Sequence, residues 1–380
     1  MPQAPQKRAG GVMKLRYKIL SVSVILLALA VLALAVALSY TSACGPSPPL
    51  AAGATPMKAI VHRCYGSPDV VRYEDIAKPV PADNEVLVRV HAASVNPLDW
   101  HYLEGTPYMV RIDGGLGKPG NPRLGVDFSG TVEAVGKAVT RFKPGDEVFG
   151  GKFGALAQYL AVAENRAIAA RPATVTHEQA AAVAIAGVTA LQALRDEGHI
   201  HSGQKVLING ASGGVGTFAV QIAKSFGTQV TGVCSTRNLE LVRSIGADQV
   251  IDYTHTDVTK GSERYDLILD NVATHSLSDY KRILTPQGIY VGIGSTDTGR
   301  WFAWLWKPLQ GWMLSHFTTQ KFTTIFADLN RDDLATLAAL MQAGKLTPVI
   351  DRTYPLEQSA DALRYLEQGH ARGKVLVTVP

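Results

Sequence analysis

The run "INGASGGVGTFAVQIAK", residues 208–224, places a cluster of glycines between two apolar segments. The segment before it, "KVLI", is typical of a buried strand, and the segment after it predicts a helix over 217–225 that ends at Gly227. The spacing A-x-G-x-x-G, which begins at Ala211, fits a strand–turn–helix loop that holds a pyrophosphate. The predicted phosphate-binding residues are Ala211, Ser212, Gly213, Gly214, Val215 and Gly216. A tight turn with nothing bound is the alternative.

The residues that follow the next predicted strand indicate which dinucleotide such a loop holds. In NADH-binding proteins, an acidic residue about 20 positions after the glycine motif forms hydrogen bonds with the ribose hydroxyls. The same residue repels a 2′-phosphate. Here the strand ends in "CSTRN", residues 234–238, and the first acid is Glu240. Ser235 and Arg237 supply a hydroxyl and a cation, which suit a phosphate. NADPH is therefore the expected cofactor, and NADH is less favoured.

The surrounding sequence changes texture near residue 177. From Met57 onward, short β-runs such as "KAIVHRCY" and "EVLVRVHAASV" are separated by Gly and Pro, which indicates a barrel-like β-rich domain. After residue 177, buried strands alternate with amphipathic helices, which is the order of a parallel sheet with crossover helices. The fold class is therefore α/β, with a β-rich domain and a Rossmann-type doubly wound parallel sheet.

An apolar segment precedes the folded part of the chain. Residues 19–38 contain no charge and are long enough, at 20 residues, to cross about 30 Å of hydrocarbon. We expect a single-pass membrane anchor, because the apolar core of a cleaved signal peptide, the main alternative, is usually shorter. The basic residues in the first fifty positions are five, and the other 330 residues carry 32 basic and 32 acidic side chains. Because these charges balance, the folded part shows no basic stripe of the kind that binds nucleic acid, and we expect no nucleic-acid partner.

Several segments, taken together and in order, carry a family resemblance. They include "EVLVRVHAASVNPLDW", "GVDFSGTVEAVG", "FKPGDEVFG", "AAVAIAGVTALQAL", "VLINGASGGVG", "SIGADQVIDY" and "ARGKVLV". The chain from Met57 to Pro380 resembles the medium-chain dehydrogenase/reductase superfamily, in its zinc-free quinone oxidoreductase branch. The resemblance implies a GroES-like catalytic domain with an inserted Rossmann domain and a tail that returns to the first domain. The expected divisions are a basic tail 1–18, a transmembrane helix 19–38, a linker 39–56, a GroES-like domain 57–177, a Rossmann domain 178–318 and a C-terminal return 319–380.

The metal ligands of the zinc-using members are missing from this sequence. Asn96 stands where those members carry a ligating Cys, and Val126-Asp127 stands in place of a His-Glu pair. Valine cannot bind zinc and an amide is a poor ligand, so we expect no zinc. The three cysteines are scattered, and we expect isolated thiols rather than a disulfide framework. Without a Lewis acid, the acceptor must already be activated, as quinones and α,β-unsaturated carbonyls are.

Further site residues follow from the resemblance. It places Asn96 beside the nicotinamide and substrate, Thr189 near the carboxamide, and Tyr253 with Ser235 and Arg237 at the 2′-phosphate. The remaining implied nucleotide-side residues are Asn271, Gly294, Arg372 and Lys374. Relatives often carry a Lys after "NPLDW", where this chain has His101, so the proton donor stays open. The candidates are His101, Tyr102 and Tyr108, while Asp99 is either an acid/base group or a cap.

Four of the five tryptophans lie in "WFAWLWKPLQGW", residues 301–312. Such a cluster fits a membrane interface, a cover over the substrate cleft, a homodimer contact or ordinary core packing. The side of the membrane is contested, because the basic tail places the enzyme outside the cytoplasm whereas NADPH is cytosolic. Because the enzyme requires NADPH, we expect the folded domain on the cytoplasmic side. The alternatives to a quinone or enone reductase are a metal-free alcohol or aldehyde dehydrogenase and a membrane-bound nucleotide-binding protein with little turnover.

Overall fold

The computed structural model describes residues 9–293, 299–301 and 303–380, with the backbone alone for 9–17, 303 and 304. The expected nucleotide-binding residue Gly294 therefore lies outside the described residues. Helix α1 (Ala9–Ser39) runs without interruption from the basic tail into the apolar segment, so the division expected at residue 18 is not a structural boundary. Within its part Lys18–Ser39, the most apolar 18-residue window has a mean hydropathy of 3.0 and is wholly unburied. Its length and composition suffice to cross a bilayer.

A disulfide fastens the segment that follows α1, contrary to the expectation of isolated thiols. Cys44 is bonded to Cys64, with the two Cα atoms 4.7 Å apart, while Cys234 is a buried free thiol. The positions of the cysteines in the sequence did not predict this pair. Residue 64 lies just beyond the first strand of the β-rich domain, and only the fold brings residue 44 beside it. The expected linker 39–56 is therefore not a free tether along its whole length.

The β-rich domain is the GroES-like domain expected from the resemblance. Its elements are β1 (Pro56–Val61), β2 (Arg72–Ala77), β3 (Glu85–Val95), α2 (Pro97–Glu104), α3 (Val110–Gly114), β4 (Asp127–Val135), β5 (Glu147–Gly151), β6 (Tyr159–Ala163) and β7 (Ile168–Ala170). Strand β3 is its longest strand and pairs antiparallel with both β4 and β6. The alternating apolar residues of these strands enclose a core that includes Phe128, Leu156 and Leu160.

The second domain is a six-stranded parallel sheet with helices on both faces. Its elements are α4 (His177–Ala181), α5 (Ala184–Gln192), β8 (Lys205–Asn209), α6 (Gly214–Ser225), β9 (Gln229–Cys234), α7 (Leu239–Ser244), β10 (Gln249–Asp252), β11 (Tyr265–Asp270), α8 (Leu277–Ile283), β12 (Leu284–Gly292), α9 (Ala303–His316) and β13 (Lys321–Thr324). The strand order is β10-β9-β8-β11-β12-β13. Strands β9 and β10 are added on one side of β8, and β11 to β13 are added on the other side, while neighbouring strands stay parallel. The glycine-rich turn follows β8 at this switch point, where doubly wound sheets bind ligands.

Strand β8 shows why the strands of this sheet have continuous apolar sequences. Val206 and Ile208 pack into the core on one face, and Leu207 packs into a second cluster on the other face. A strand covered on both faces loses the alternation of a half-exposed strand. Strand β13 belongs to this sheet, so the domain extends past the boundary of 318 expected from sequence.

The C-terminal segment returns to the first domain, as expected. It comprises α10 (Arg331–Gln342), β14 (Ile350–Pro355), α11 (Ser359–Glu367) and β15 (Lys374–Thr378). Strand β15 pairs antiparallel with β3, with Val375 opposite Val95, and completes the seven-stranded sheet. This pairing brings the start of β15 to the cleft between the two domains, where the phosphate loop lies.

Candidate active site

The loop after β8 has the tight packing that a phosphate cradle needs. A Cβ atom at Gly216 would lie 2.1 Å from Gly210 O, so only glycine allows this approach of helix to strand. Ala211 packs against Gly232 of β9, whereas Cβ positions at Gly213 and Gly214 meet their first neighbours only at 3.5 Å. In an α-helix the N–H groups of the first turn have no partner within the helix, so the N-terminus of α6 suits a phosphate.

The start of β15 closes against this loop. Gly373 N donates to Ser212 O at 2.9 Å, and Gly373 forms a parallel bridge with Gly213. Gly373 has a φ of +89°, and a Cβ there would lie 2.3 Å from Val349 O, so a larger residue does not fit. The next residue, Lys374, therefore lies beside the phosphate loop, with its Cδ 3.5 Å from the Cβ position of Gly214.

Lys374 is the centre of a buried polar cluster that joins three elements. Its ammonium donates to Asn96 Oδ1 and, at 3.2 Å, to Asp127 Oδ2. Asn96 Nδ2 donates to the same Asp127 oxygen at 3.1 Å, and Ser94 Oγ donates to it at 2.9 Å. The other Asp127 oxygen accepts from Ile185 N at 2.9 Å. The side chains of Lys374 and Asp127 are 3% and 0% exposed, so this ion pair is shielded from water.

The donors at this position do not make a zinc site. The resemblance implies that Asn96 and Val126 stand where the zinc-using members carry ligands, and the neighbouring Asp127 carboxylate is already neutralised by an ammonium group. An amide oxygen and one paired carboxylate are fewer and weaker ligands than the three that a catalytic zinc requires. Among the described residues, no group of three or more His, Cys, Asp or Glu side chains is arranged to hold a metal ion. Lys374 thus supplies the positive charge of this position.

Asp99 acts on Asn96 from the first turn of α2. Its Oδ2 accepts the Asn96 backbone N–H at 2.7 Å, which is the capping alternative left open by the sequence. The side chain is fully buried, and its Oδ1 has no hydrogen-bond partner among the described residues. Burial raises the pKa of Asp99 to about 7, with a further upward contribution from the charge of Asp127. A carboxyl that titrates near neutrality therefore holds the backbone of a candidate catalytic residue.

This raised pKa predicts a pH-dependent stability. Between pH 4 and 7, Asp99 is protonated in the folded chain and ionised in the unfolded chain, so the free energy of unfolding falls as pH rises through this window. The full contribution is of the order of 4 kcal/mol. We expect Asp99→Asn to flatten the decline between pH 4 and pH 7, as measured by urea unfolding. The control Asp83→Asn removes an exposed carboxylate and should keep the wild-type slope. Equal slopes in wild type and Asp99→Asn would contradict the assignment.

A second group of predicted residues meets at the ends of β9 and β10. Ser235, Arg237 and Tyr253 line one surface pocket, together with Thr236 and His370. Arg237 Nη2 donates to His370 O at 2.8 Å. The sequence search missed His370, because it is distant in the chain and reaches the pocket only through the C-terminal return.

An acidic residue that the sequence spacing did not indicate lies beside this pocket, in contact with Thr236. Asp252, at the end of β10, accepts from Thr236 Oγ1 at 2.5 Å and from Thr254 N at 2.9 Å. The Thr236 hydrogen bond is the main cause that lowers the pKa of Asp252, so the carboxylate is ionised at neutral pH. The sequence spacing looks only along one strand and its turn, whereas the parallel pairing of β10 with β9 places Asp252 opposite Cys234.

The other nucleotide-side candidates are distributed along the cleft. Asn271 follows β11, its Nδ2 donates to Asn209 O at 2.8 Å, and its Oδ1 is buried without a partner among the described residues. Thr189 lies in α5 and donates its hydroxyl to Ile185 O at 2.7 Å. Arg372 is exposed, unlike its neighbour Lys374, and its backbone N–H donates to Asp351 Oδ2 at 2.9 Å. Arg372 therefore stands outside the buried cluster.

The three candidate proton donors lie in or after α2 and have separate surroundings. His101 Nδ1 lies 2.9 Å from Thr106 O, and burial lowers the pKa of its imidazole. Tyr102 packs against Phe153, with ring centroids 4.6 Å apart, and burial raises the pKa of its phenol. Tyr108 packs edge-on against Trp301 at 4.7 Å. None of these contacts joins a candidate donor directly to Asn96.

Comparison with known proteins places this geometry in a family. Residues 82–172 match the alcohol dehydrogenase GroES-like domain, and residues 245–377 match the zinc-binding dehydrogenase family. The chain is 35% identical over 367 residues to the mitochondrial NAD(P)H oxidoreductase RTN4IP1 of Bos taurus, with 86% of this chain and 90% of that protein covered. It is also 35% identical to the trans-enoyl reductase pgmF of Aspergillus terreus, with 78% of this chain and 86% of that protein covered.

A solved structure agrees with these matches. The quinone oxidoreductase from Coxiella burnetii superposes with a TM-score of 0.74 at 29% identity, and the match covers 86% of this chain and 100% of that one. The two-domain arrangement and the parallel nucleotide-binding sheet are therefore shared across the aligned length.

Proposed function

This chain belongs to the medium-chain dehydrogenase/reductase superfamily and is a nicotinamide-dependent oxidoreductase, and from that premise we propose its acceptor. The acceptor is a quinone or an α,β-unsaturated carbonyl, the hydride donor is NADPH, and no zinc takes part. The observation that carries the proposal is the buried Lys374–Asn96–Asp127 cluster beside the phosphate loop. The resemblance implies that Asn96 stands where zinc-using members carry a metal ligand.

The cluster supplies fixed donors rather than a Lewis acid. An ammonium has three N–H groups, of which two point to Asn96 and Asp127, and the Asn96 amide has two, of which one points to Asp127. One further N–H on each group is therefore available for an acceptor oxygen. Such preorganised donors stabilise negative charge on a conjugated carbonyl as hydride arrives. The bound nicotinamide supplies the hydride, and the chain supplies binding and orientation.

An already conjugated acceptor suits this arrangement better than a simple alcohol or aldehyde. Oxidation of an alcohol requires loss of its hydroxyl proton, which zinc-using members promote by coordination. An enolate or a hydroquinone anion needs less stabilisation than an alkoxide because its charge is delocalised, so two hydrogen-bond donors suffice for it. The quinone oxidoreductase and trans-enoyl reductase names of the relatives support the same acceptor class.

NADPH is favoured over NADH by the pocket at the ends of β9 and β10. Ser235 and Tyr253 offer hydroxyl donors, and Arg237 offers a permanent cation, which together suit a 2′-phosphate. Asp252 counts against the phosphate, but its oxygens already accept from Thr236 and Thr254. The ionised Asp252 therefore accepts hydrogen bonds from hydroxyl groups of its own chain. It does not pair with Arg237, whose charge would bind the phosphate.

The apolar part of α1 supports a membrane-anchored enzyme. We place the folded domain on the cytoplasmic side because the hydride donor is a cytosolic molecule. The basic residues before the apolar segment count against this side, and so does the Cys44–Cys64 disulfide, because disulfides persist mainly in oxidising compartments. Digestion by protease in opened but not intact cells is the result expected for the cytoplasmic side.

An acceptor panel tests the proposed reaction. The full chain, reconstituted in vesicles, should oxidise NADPH with a quinone or an enone and should do so slowly with a simple aldehyde. NADH should be the poorer donor, because it lacks the phosphate that Arg237 would bind. A chelator should leave the rate unchanged, since no ligand set for zinc is proposed. Activity that chelation abolishes, or a preference for aldehydes, would contradict the proposal. Thermal stabilisation by NADPH without any turnover would instead favour a binding protein.

A further inference from the structure

The C-terminal end of the apolar helix is docked directly onto the catalytic domain. Leu38, one residue before the helix ends, is only 5% exposed. Beyond the helix, Ser42 N and Ser42 Oγ both donate to Gly117 O, at 2.8 and 2.9 Å. The chain therefore has no flexible stretch between the anchor and this domain. If α1 spans a bilayer, the surface around residue 117 must lie at the membrane.

Arg111 is the residue that holds this junction together. Its Nη1 donates to Leu38 O at 3.0 Å and to Tyr40 O at 2.8 Å, which satisfies carbonyls at the end of α1 with a cation. The guanidinium lies over the rings of Tyr65 and Tyr108, at 4.4 and 4.7 Å from their centroids. Arg111 is 3% exposed, so these contacts are buried and are not a chance surface encounter.

The same junction continues to the tryptophan-rich helix. Tyr108 N donates to Arg300 O at 2.8 Å, and the Tyr108 ring packs against Trp301. Helix α9 begins two residues later. A continuous set of contacts thus leads from the end of the anchor, through Arg111 and Tyr108, to the start of α9.

Helix α9 presents an apolar stripe to its surroundings. Its exposed side chains follow the spacing i, i+1, i+4, i+7 and i+8 of one helical face, and they are Leu305, Trp306, Leu309, Trp312 and Met313, with exposures of 40%, 61%, 47%, 62% and 50%. On the opposite side, Gly311 approaches Phe322 of β13 and Leu277 of α8. A soluble surface helix would carry polar residues where this stripe lies, so the stripe requires a partner.

We propose that this stripe of α9 rests in the interfacial region of the lipid bilayer that α1 crosses. The proposal rests on the membrane anchor of the proposed function and deepens it, because both contacts together orient the cleft. Two exposed tryptophans suit the headgroup level, where aromatic side chains are favoured. An interfacial helix buries its apolar face about 5–10 Å into the boundary between headgroups and acyl chains. Met109, Ile112 and Leu116, which are exposed near the junction, extend the same apolar surface.

This placement selects the class of acceptor. Tyr108 and Trp301 lie between the anchor and α9. An enzyme seated in this way draws on a substrate that is dissolved in the membrane, so a lipid-soluble quinone or a long-chain enone fits better than a small polar one. A second copy of this chain could cover the same stripe, but the rigid link to an apolar helix favours lipid.

Site-directed fluorescence distinguishes these partners in the full chain. The native cysteines allow selective labelling, because Cys44 and Cys64 are bonded and Cys234 is buried. A bimane label is placed at Met313→Cys on the stripe, at Leu27→Cys in the anchor, and at Val80→Cys, a matched apolar position that is 87% exposed. The chain is reconstituted in phosphatidylcholine vesicles whose lipids carry a nitroxide on the upper acyl chain.

We expect the lipid nitroxide to quench the labels at 313 and 27 several-fold more than the label at 80. Quenching at 27 together with a label at 313 that behaves as at 80 overturns the proposal and leaves the anchor intact. A label at 313 that is shielded from both the lipid nitroxide and aqueous iodide shows that a second copy covers the stripe, which also overturns it. Absence of quenching at 27 removes both the anchor and this inference, whereas NADPH oxidation in the same vesicles reports separately on the proposed chemistry.

Discussion

Replacing Lys374 by methionine is expected to lower turnover by about 100-fold or more, the usual cost of removing one preorganised donor from an active site. Methionine keeps much of the length and volume of lysine but removes the ammonium that bonds Asn96 and Asp127. The Asp127 carboxylate would then be buried without its cation, and breaking such a pair costs about 3–5 kcal/mol. Steady-state NADPH oxidation and urea unfolding measure the two losses.

A double variant separates chemistry from stability. In Lys374→Met with Asp127→Asn, neither charge remains, so much of the lost stability should return while turnover stays low. Lys205→Met is the matched control, because it removes the ammonium of an ion pair with Glu263 that is about half exposed. Such exposed pairs contribute little, about 1 kcal/mol at most. Wild-type turnover in Lys374→Met would refute the assigned role of the cluster.

Replacing Gly216 by alanine is expected to weaken NADPH binding by about 10-fold or more, in line with the 1–3 kcal/mol that overpacking usually costs. The added Cβ would lie 2.1 Å from Gly210 O and 2.8 Å from the Ala211 Cα, both backbone atoms that cannot turn away. Helix α6 must then shift from β8, which moves its N-terminus away from the phosphate position. Quenching of the NADPH fluorescence measures the dissociation constant.

Two other glycines provide comparisons for this result. Gly261→Ala is the control, because its nearest neighbour is 3.4 Å from the Cβ position and lies outside the loop. Gly213→Ala meets its nearest protein atom at 3.5 Å, so it fits the protein without ligand and would interfere only with a bound phosphate. We therefore expect Gly213→Ala to keep stability and lose affinity, whereas Gly216→Ala loses both. Unchanged affinity in Gly216→Ala would show that the loop does not hold the cofactor.

Local sequence patterns predicted the nucleotide domain because its determinants are local. A strand, a glycine turn and a helix follow one another within about 25 residues, and each step has a distinct residue preference. The same holds for the apolar helix, whose length and composition are sufficient. The family resemblance added the return of β15 to the first domain, and with it the approach of Lys374 to the cleft.

Features that depend on distant pairings were missed or underestimated. Asp252 lies in the strand after the one whose end indicated the cofactor, and only the pairing of the two strands brings it beside Thr236. No local pattern singled out Arg111, because its partners Leu38 and Tyr40 lie about 70 positions earlier. The Cys44–Cys64 bond was unexpected for the same reason. Residues that join domains leave little trace in a local window, since periodicity reports only one element at a time.

Two covalent links join the folded domain to helix α1, namely the polypeptide chain and the Cys44–Cys64 disulfide. Residues 45–53 are exposed and rich in Pro, Gly and Ala, which is the composition of segments that proteases cut. A cut there would sever the polypeptide, yet Cys64 would still retain the N-terminal fragment through its sulfur atom. Release of the folded domain then requires two events, hydrolysis of a peptide bond and reduction of the cross-link. If α1 spans a membrane, shedding of the domain is thereby conditional on the thiol balance of the compartment that surrounds it.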